Sequence, residues 1–325
     1  MSIEEFLSDW HSDSPTLLVH TSGSTGQPKP LYVDKQRMEA SARITCGFLG
    51  LKKDDTALLC LPLDYIAGKM MVVRALTCGL RLIVTEPTGT PSWKGHIDFA
   101  AMVPMQVYNL LQTNEGRERL MQIRHLIIGG SAIDSHLAEN LKSFPNAVWS
   151  TYGMTETLSH IALRRLSGMD ATEWYTPFEG VSLSLSADGC LIIDAPAVHD
   201  GLLMTNDIAE IRPNGTFRVL GRRDNTICSG GIKIQMETVE ELLHPHLKVP
   251  FCITKCKDEK LGEAVVLLIE AESTQEAETI SKKVLPRYWQ PRYYLCVDHI
   301  PQTPTSKIDR QQTAQIAAAQ LVRNR

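Results

Sequence analysis

At 325 residues the chain is long enough for two domains. Its 43% hydrophobic and 22% charged residues are those of an ordinary globular protein, and a net charge of −4 supplies no global electrostatic footprint for nucleic acid or an anionic membrane. The opening MSIEEFLSDWHSD is acidic and lacks a long apolar core, which argues against a secretory signal. Ile3, Phe6, Leu7 and Trp10 share one face of a short helix that would pack onto the body. Thr16–His20 is a short apolar run leading into a Gly-rich loop, and residues 36–49 have helical spacing (Met38, Ala42, Thr45, Phe48, Leu49). Strand and helix then alternate: a strand over Ala57–Leu61, a helix over Ile66–Cys78, a strand over Arg81–Thr85 and a strand over Ile97–Val103. A helix over Pro104–Leu111 has proline at its start, and a strand over His125–Ile128 precedes a helix ending near Leu141. This alternation predicts an α/β sheet with covering helices.

From residue 180 to 220 the pattern changes to short strands (181–185, 190–193, 207–212, 216–219), with Asp188-Gly189 and Asn214-Gly215 as hairpin turns. After residue 221 come a Gly-rich turn, helices near 237–243 and 276–284, and strands near 249–254, 263–270 and 292–297, a small α+β section. The predicted division is therefore 1–222, a large α/β domain with a β-rich section, and 223–325, a small C-terminal α+β domain. The cysteines, Cys46, Cys60, Cys78, Cys190, Cys228, Cys252, Cys256 and Cys296, show no paired clusters at zinc spacing and read as unbridged thiols of a reducing compartment. The longest apolar runs, such as Val265–Ile269, are strand-length and too short to span a bilayer. The expectation is a cytoplasmic protein without membrane insertion.

Several segments carry chemistry. His20-Thr21-Ser22-Gly23-Ser24-Thr25-Gly26-Gln27-Pro28-Lys29 combines small residues that let backbone N–H groups approach an anion with a lysine that adds charge. It is not a Walker A loop, because Pro28-Lys29-Pro30 replaces the Gly-Lys-Ser/Thr that opens a helix there. Thr151-Tyr152-Gly153-Met154-Thr155-Glu156-Thr157 follows an apparent strand, Ala147–Ser150, and strand ends are where α/β sheets place ligands. Glu156 is suited to Mg²⁺, which favours a carboxylate plus phosphate oxygens. A helix cap explains that segment equally well when it is taken alone. Asp207 in Met204-Thr205-Asn206-Asp207 could bind a ribose diol. Gly221-Arg222-Arg223-Asp224-Asn225 is a charged turn at the domain boundary, and Pro301–Arg310 reads as a rigid exposed loop presenting Lys307.

The order of these motifs resembles the superfamily of adenylate-forming enzymes: acyl-CoA synthetases, luciferases and peptide-synthetase adenylation domains. Within it the chain is most similar to the o-succinylbenzoate–CoA ligases of menaquinone biosynthesis, through Leu61-Pro62-Leu63, Gly68, Arg74, Gly79, Val103-Pro104, Leu110-Leu111, Ile127–Gly130 and Tyr152–Thr157. The resemblance implies an acid–thiol ligase using ATP, Mg²⁺ and coenzyme A. Thr21–Lys29 would hold the β- and γ-phosphates, Thr155 the α-phosphate and Glu156 the metal. Asp207 would bind the ribose with Arg222 assisting, and Gly129, Gly130, Ser131, Tyr152 and Gly153 would frame the adenine. Lys307 would bridge the reacting carboxylate and the α-phosphate. The C-terminal domain would turn about Asp224 between half-reactions, bringing Gly230 and Gly231 to a pantetheine channel.

Two departures stand out. Relatives carry well over a hundred residues before the phosphate loop, which here begins at Thr21, so the expectation is a short enzyme lacking part of the large domain. An apolar surface left open in this way would be one a partner subunit could cover. In addition, Asp64-Tyr65 replaces the family's aromatic-His pair after Leu-Pro-Leu. For the acyl substrate, Lys69 and Arg74 are candidate cations on an otherwise apolar helix. Their spacing puts them about 140° apart at about 100° per residue, so both are not expected to face one ligand. The alternatives are another acyl- or aryl-CoA ligase, a carrier-protein adenylation module, and a non-catalytic nucleotide-binding relative. Intact Glu156, Asp207 and Lys307 argue against the last.

Overall fold

The computed structural model describes residues 1–20, 30–303 and 308–323. Thr21–Lys29 and Lys307, expected around the phosphates, lie outside the described residues. Helix α1 (Ile3–Trp10) opens with a capping box, Glu5 N donating to Ser2 Oγ at 3.1 Å and Ser2 N to Glu5 Oε2 at 2.7 Å. Its apolar face packs as the spacing predicts, with Phe6 fully buried and Ile3, Leu7 and Trp10 around it. Strands β1 (Thr16–His20) and β2 (Pro30–Asp34) pair antiparallel, so a strand rather than a helix begins at Pro30.

Helix α2 (Lys35–Leu49) is capped by Asp34, whose carboxylate accepts from Arg37 N at 3.1 Å. There follow β3 (Thr56–Leu59), α3 (Ile66–Cys78), β4 (Arg81–Val84), β5 (Ile97–Met102), α4 (Pro104–Leu111), α5 (Asn114–Met121), β6 (Ile123–Ile128), α6 (Ser135–Lys142) and β7 (Ala147–Gly153). Strands β3 to β7 are parallel, in the order β4-β3-β5-β6-β7, and antiparallel β8 (His160–Arg165) and β9 (Thr176–Pro177) extend that sheet. Alternate residues serve two cores. Ala57, Leu59, Phe99, Ala101 and Ile127 face the layer with α1, α2 and α3, while Leu58, Ala100, Met102, Leu126 and Ile128 face Val107, Leu110, Leu137 and Leu141 on the other side.

A four-stranded meander follows: β10 (Ser182–Leu185), β11 (Cys190–Asp194), β12 (Leu202–Ile211) and β13 (Phe217–Arg222). Strand β12 begins earlier than the expected 207–212, so Asp207 sits mid-strand, where Thr205, Asp207 and Ala209 alternate to the buried side. After a 3₁₀ turn at Arg223–Asn225 the chain builds a separate sheet from β14 (Thr226–Ser229), β15 (Ile232–Gln235), β16 (Phe251–Asp258), β17 (Gly262–Ile269) and β18 (Tyr293–Cys296). Helices α7 (Met236–Leu243), α8 (Gln275–Val284) and α9 (Arg310–Arg323) cover it.

The end of the segment expected as an exposed loop is anchored instead. Gln302 bridges Ile308, and Arg310 opens α9 in a buried bidentate pair with Glu240, Nη1–Oε1 2.6 Å and Nη2–Oε2 2.7 Å, while also donating to Ile253 O at 2.8 Å. The eight cysteines are unbridged thiols; Cys228, on β14, is the exposed one, the others being buried or half-buried. Among the described residues no helix is long and apolar enough to cross a membrane.

Candidate active site

The C-terminal ends of β6 and β7 meet so tightly that a Cβ on Gly129 would lie 2.1 Å from Thr151 Oγ1, which requires glycine there. Gly130 and Ser131 follow at the same edge. From the end of β7, Tyr152 Oη donates to Asp207 Oδ2 at 2.7 Å, and its ring meets Phe217 edge-on at 5.1 Å. Burial, then the Asp207 charge, pushes the Tyr152 phenol far up, so it remains a donor. Arg222 Nη1 stands 3.5 Å from Asp207 Oδ1 and its Nη2 3.4 Å from Asp224 Oδ2; Asn206 Nδ2 donates to the same Asp224 oxygen at 3.1 Å. Tyr152, Asp207, Arg222 and Asp224 thus form a continuous polar path from the parallel sheet, across the meander, to the turn where the C-terminal sheet begins.

Beyond Gly153 the backbone folds back sharply. Thr155–Thr157 is a 3₁₀ turn, and Leu158 follows at φ +64° and ψ −34°, with Ser159 N donating to Thr157 O at 2.7 Å. This γ-turn is strained for leucine, at a cost of about 1–3 kcal/mol. It presses Ser159 under Gly153, where a Cβ would meet Ser159 O at 2.2 Å. Thr155 is buried and Glu156 exposed. The Glu156 carbonyl accepts from His199 Nδ1 at 3.2 Å, and its carboxylate makes no ion pair among the described residues. No cluster of three or more His, Cys, Asp or Glu residues suited to a metal occurs among them. An exposed carboxylate such as that of Glu156 is the donor type that suits Mg²⁺ alongside phosphate oxygens.

The two candidate cations on α3 part company as their spacing predicts. Lys69 Nζ points to the N-terminal helix, 3.1 Å from Met1 Sδ and 5.8 Å from the Phe6 ring centroid; burial lowers its pKa, with Asp64 and Asp9 opposing. Arg74 points to the fold-back: Nη2 donates to Ser159 Oγ at 2.6 Å and the guanidinium lies over Phe99. Its Nε is buried without a hydrogen-bond partner, and it pairs with no carboxylate among the described residues. Burial lowers it to about 10, still charged at neutral pH. Ser159, His160 and Thr45, which join this cluster, carry no motif in the sequence; only the position of Ser159, shortly after the Thr-Glu-Thr run, could have singled it out. Gly230 and Gly231 form the β14–β15 turn, where Gly230 N donates to Leu261 O at 2.8 Å.

Residues 4–188 match the AMP-binding enzyme family, more than half of the chain. The chain belongs to that family. Among curated relatives, the 2-succinylbenzoate--CoA ligase of Bacillus cytotoxicus is 25% identical, covering 92% of this chain and 69% of its own length. The ligase of the same name from Salmonella typhimurium is 28% identical over 88% of this chain and 65% of its own length, so the chain spans about two thirds of these relatives. Among solved structures, an acyl-CoA synthetase (AMP-forming)/AMP-acid ligase II-like protein from Dyadobacter fermentans is 33% identical, covers 97% of this chain and 93% of its own, and superposes with a TM-score of 0.65. The o-succinylbenzoate CoA synthetase of Bacillus subtilis, in complex with its acyl-adenylate intermediate, shares the fold at a TM-score of 0.76 and 23% identity over 91% of this chain.

Proposed function

We propose that the chain is an ATP-dependent o-succinylbenzoate–CoA ligase of menaquinone biosynthesis that works through an acyl-adenylate. The observation that carries the substrate is Arg74. A guanidinium this deeply buried, with no carboxylate beside it among the described residues, would favour an anion from outside, because an unpaired buried charge is costly. o-Succinylbenzoate brings two carboxylates: one is activated, and the ring carboxylate would meet Arg74. Lys69, turned toward α1, is assigned no substrate role.

In the first half-reaction the succinyl carboxylate attacks the α-phosphorus of ATP and pyrophosphate leaves. Asp207 accepts from the ribose hydroxyls, with Tyr152 and Arg222 fixing its carboxylate, and Gly129 to Ser131 and Gly153 line the adenine edge. Thr155 steadies the α-phosphate. Thr21, Ser22, Gly23, Ser24, Thr25, Gly26 and Lys29 embrace the outer phosphates. Glu156, with the phosphate oxygens, would hold magnesium, which would supply charge neutralisation at the phosphates. Lys307 stabilises the charge that develops between carboxylate and phosphate, the main catalytic resource in such a transfer. In the second half-reaction the CoA thiol attacks the acyl carbonyl and AMP departs. Residues 223–325 act as a lid on the 1–222 domain, turning about Asp224 so that Gly230 and Gly231 replace Lys307.

Thioester formation assayed across o-succinylbenzoate, benzoate and a fatty acid tests this reading. o-Succinylbenzoate is expected to be the preferred acid; preference for benzoate or the fatty acid would remove the specific assignment. Lys307→Ala is expected to cost about 10² or more in adenylation while sparing thioester formation from supplied acyl-adenylate; equal loss in both steps would count against a turning lid.

A further inference from the structure

Behind Arg74 runs a chain of hydrogen bonds whose direction is set at both ends. Arg74 can only donate, and does so from Nη2 to Ser159 Oγ at 2.6 Å. At the far end Thr45 Oγ1 donates to the Ser41 carbonyl at 3.1 Å, and a carbonyl can only accept. Thr45 has one hydroxyl proton, so toward His160 Nε2, at 3.2 Å, it can only accept. His160 therefore carries its proton on Nε2. The remaining link, Ser159 Oγ to His160 Nδ1 at 3.1 Å, must then run from the serine hydroxyl to the bare ring nitrogen. The imidazole is buried against Phe178, and burial with the nearby Arg74 charge holds its pKa well below the usual value, so it stays neutral while the hydrogen bonds select the tautomer.

We infer that Ser159, His160 and Thr45 position the Arg74 guanidinium for an anionic group on the acyl substrate. Thr45 and Ser41 lie on α2, His160 on β8, Ser159 in the strained fold-back and Arg74 on α3, so the chain ties the guanidinium to α2, β8 and the fold-back. With Nη2 committed to Ser159, the unpartnered Nε and the loosely held Nη1, 4.0 Å from Met71 Sδ, remain for the ligand. A guanidinium swung away from Ser159 would lose that alignment, so the positioning residues govern affinity for the anionic group rather than the chemistry of adenylation. This inference rests on the reading of Arg74 as the pocket cation.

The test compares o-succinylbenzoate with 3-benzoylpropionate, the same keto acid without the ring carboxylate, in Thr45→Val, Thr45→Ser and Arg74→Met enzymes. Thr45→Val removes the hydroxyl that accepts from His160 and donates to the Ser41 carbonyl, three side chains along from the guanidinium. It is expected to raise KM for o-succinylbenzoate about 5- to 20-fold with kcat changed less than about twofold, to leave KM for 3-benzoylpropionate near wild type, and to be rescued by Thr45→Ser. An equal shift for both acids, or failure of Thr45→Ser to rescue, would reduce the chain to a structural role and overturn the inference. Arg74→Met separates the two readings: if it affects both acids alike, Arg74 is not the carboxylate reader and the substrate assignment falls first. Should Thr45→Val fail to fold, long-range ¹⁵N–¹H spectra of the wild-type histidines decide the matter. An Nε2–H tautomer for His160 is expected, and an Nδ1–H tautomer would break the chain.

Discussion

Asp207 is held on both sides, by the Tyr152 hydroxyl at 2.7 Å and by Arg222 at 3.5 Å, inside a strand that buries its side chain. A carboxylate fixed in this way would suit the two ribose hydroxyls proposed for it, with little reorganisation. Asp207→Ala is expected to weaken AMP binding at least about tenfold by calorimetry, since hydrogen bonds to a charged group contribute about 1.5–3 kcal/mol; unchanged affinity would remove Asp207 from the nucleotide site. His160 makes a prediction in pH. Its folded pKa lies well below the usual value, whereas the unfolded chain binds a proton near about 6.5. Below that pH the unfolded state carries the extra proton, so the stability from neutral His160 is full above about 6.5 and is lost as the pH falls, approaching about 1.4 kcal/mol per pH unit. Urea midpoints between pH 7 and 5 are expected to decline, and His160→Gln should flatten that slope; an equal slope in the variant would locate the acid sensitivity elsewhere.

Helix α9 is fastened at its first residue, where Arg310 makes its buried bidentate pair with Glu240 on α7 and bonds to Ile253 O on β16. Removing one partner strands the other charge, so Glu240→Gln should lower the stability of the C-terminal section by about 3–5 kcal/mol in denaturant titration, and a loss under about 1 kcal/mol would show the pair to be solvated. At the other end of the chain Phe6→Ala should cost about 3–5 kcal/mol and speed amide exchange throughout α1; protection equal to wild type would mean α1 is held by something else.

Elements with strong periodicity were legible in the sequence. Helix α3 has the predicted bounds, Ile66–Cys78, and α4 begins at its proline as expected. Helix α5 was not, because Asn114–Met121 is polar and buries only Gly116 and Leu120. Helix α9 escaped for a different reason: its anchor, Glu240, lies seventy positions away. The start of β12 was hidden because Leu202 and Met204 are exposed, against the usual rule for apolar residues. The segments proposed for the nucleotide stand out in the sequence as motifs because phosphate and ribose contacts would need glycines, hydroxyls and carboxylates in fixed local order. The surroundings of Arg74 were not, because Thr45 and His160 stand 115 positions apart and meet only through the Leu158 fold-back.

On the scale of the whole molecule, the sheets before and after the Arg223–Asn225 turn share no strand, and each section has its own core. That division is what a lid turning about Asp224 would need. Asp224→Pro, which fixes φ where rotation would occur, is expected to slow one half-reaction far more than the other in single-turnover assays; two wild-type rates would exclude Asp224 as the pivot. The exposed thiol of Cys228 lies between this turn and Gly230, while the other cysteines are buried or half-buried. Thiolates react as their access allows, so a maleimide fluorophore would attach there first on the unmodified protein. Were the proposed lid to turn, the fluorophore's colour and anisotropy would report that motion in real time, and were pantetheine to pass Gly230 as proposed, an acrylamide on a pantetheine-like ligand would have a thiol there to capture.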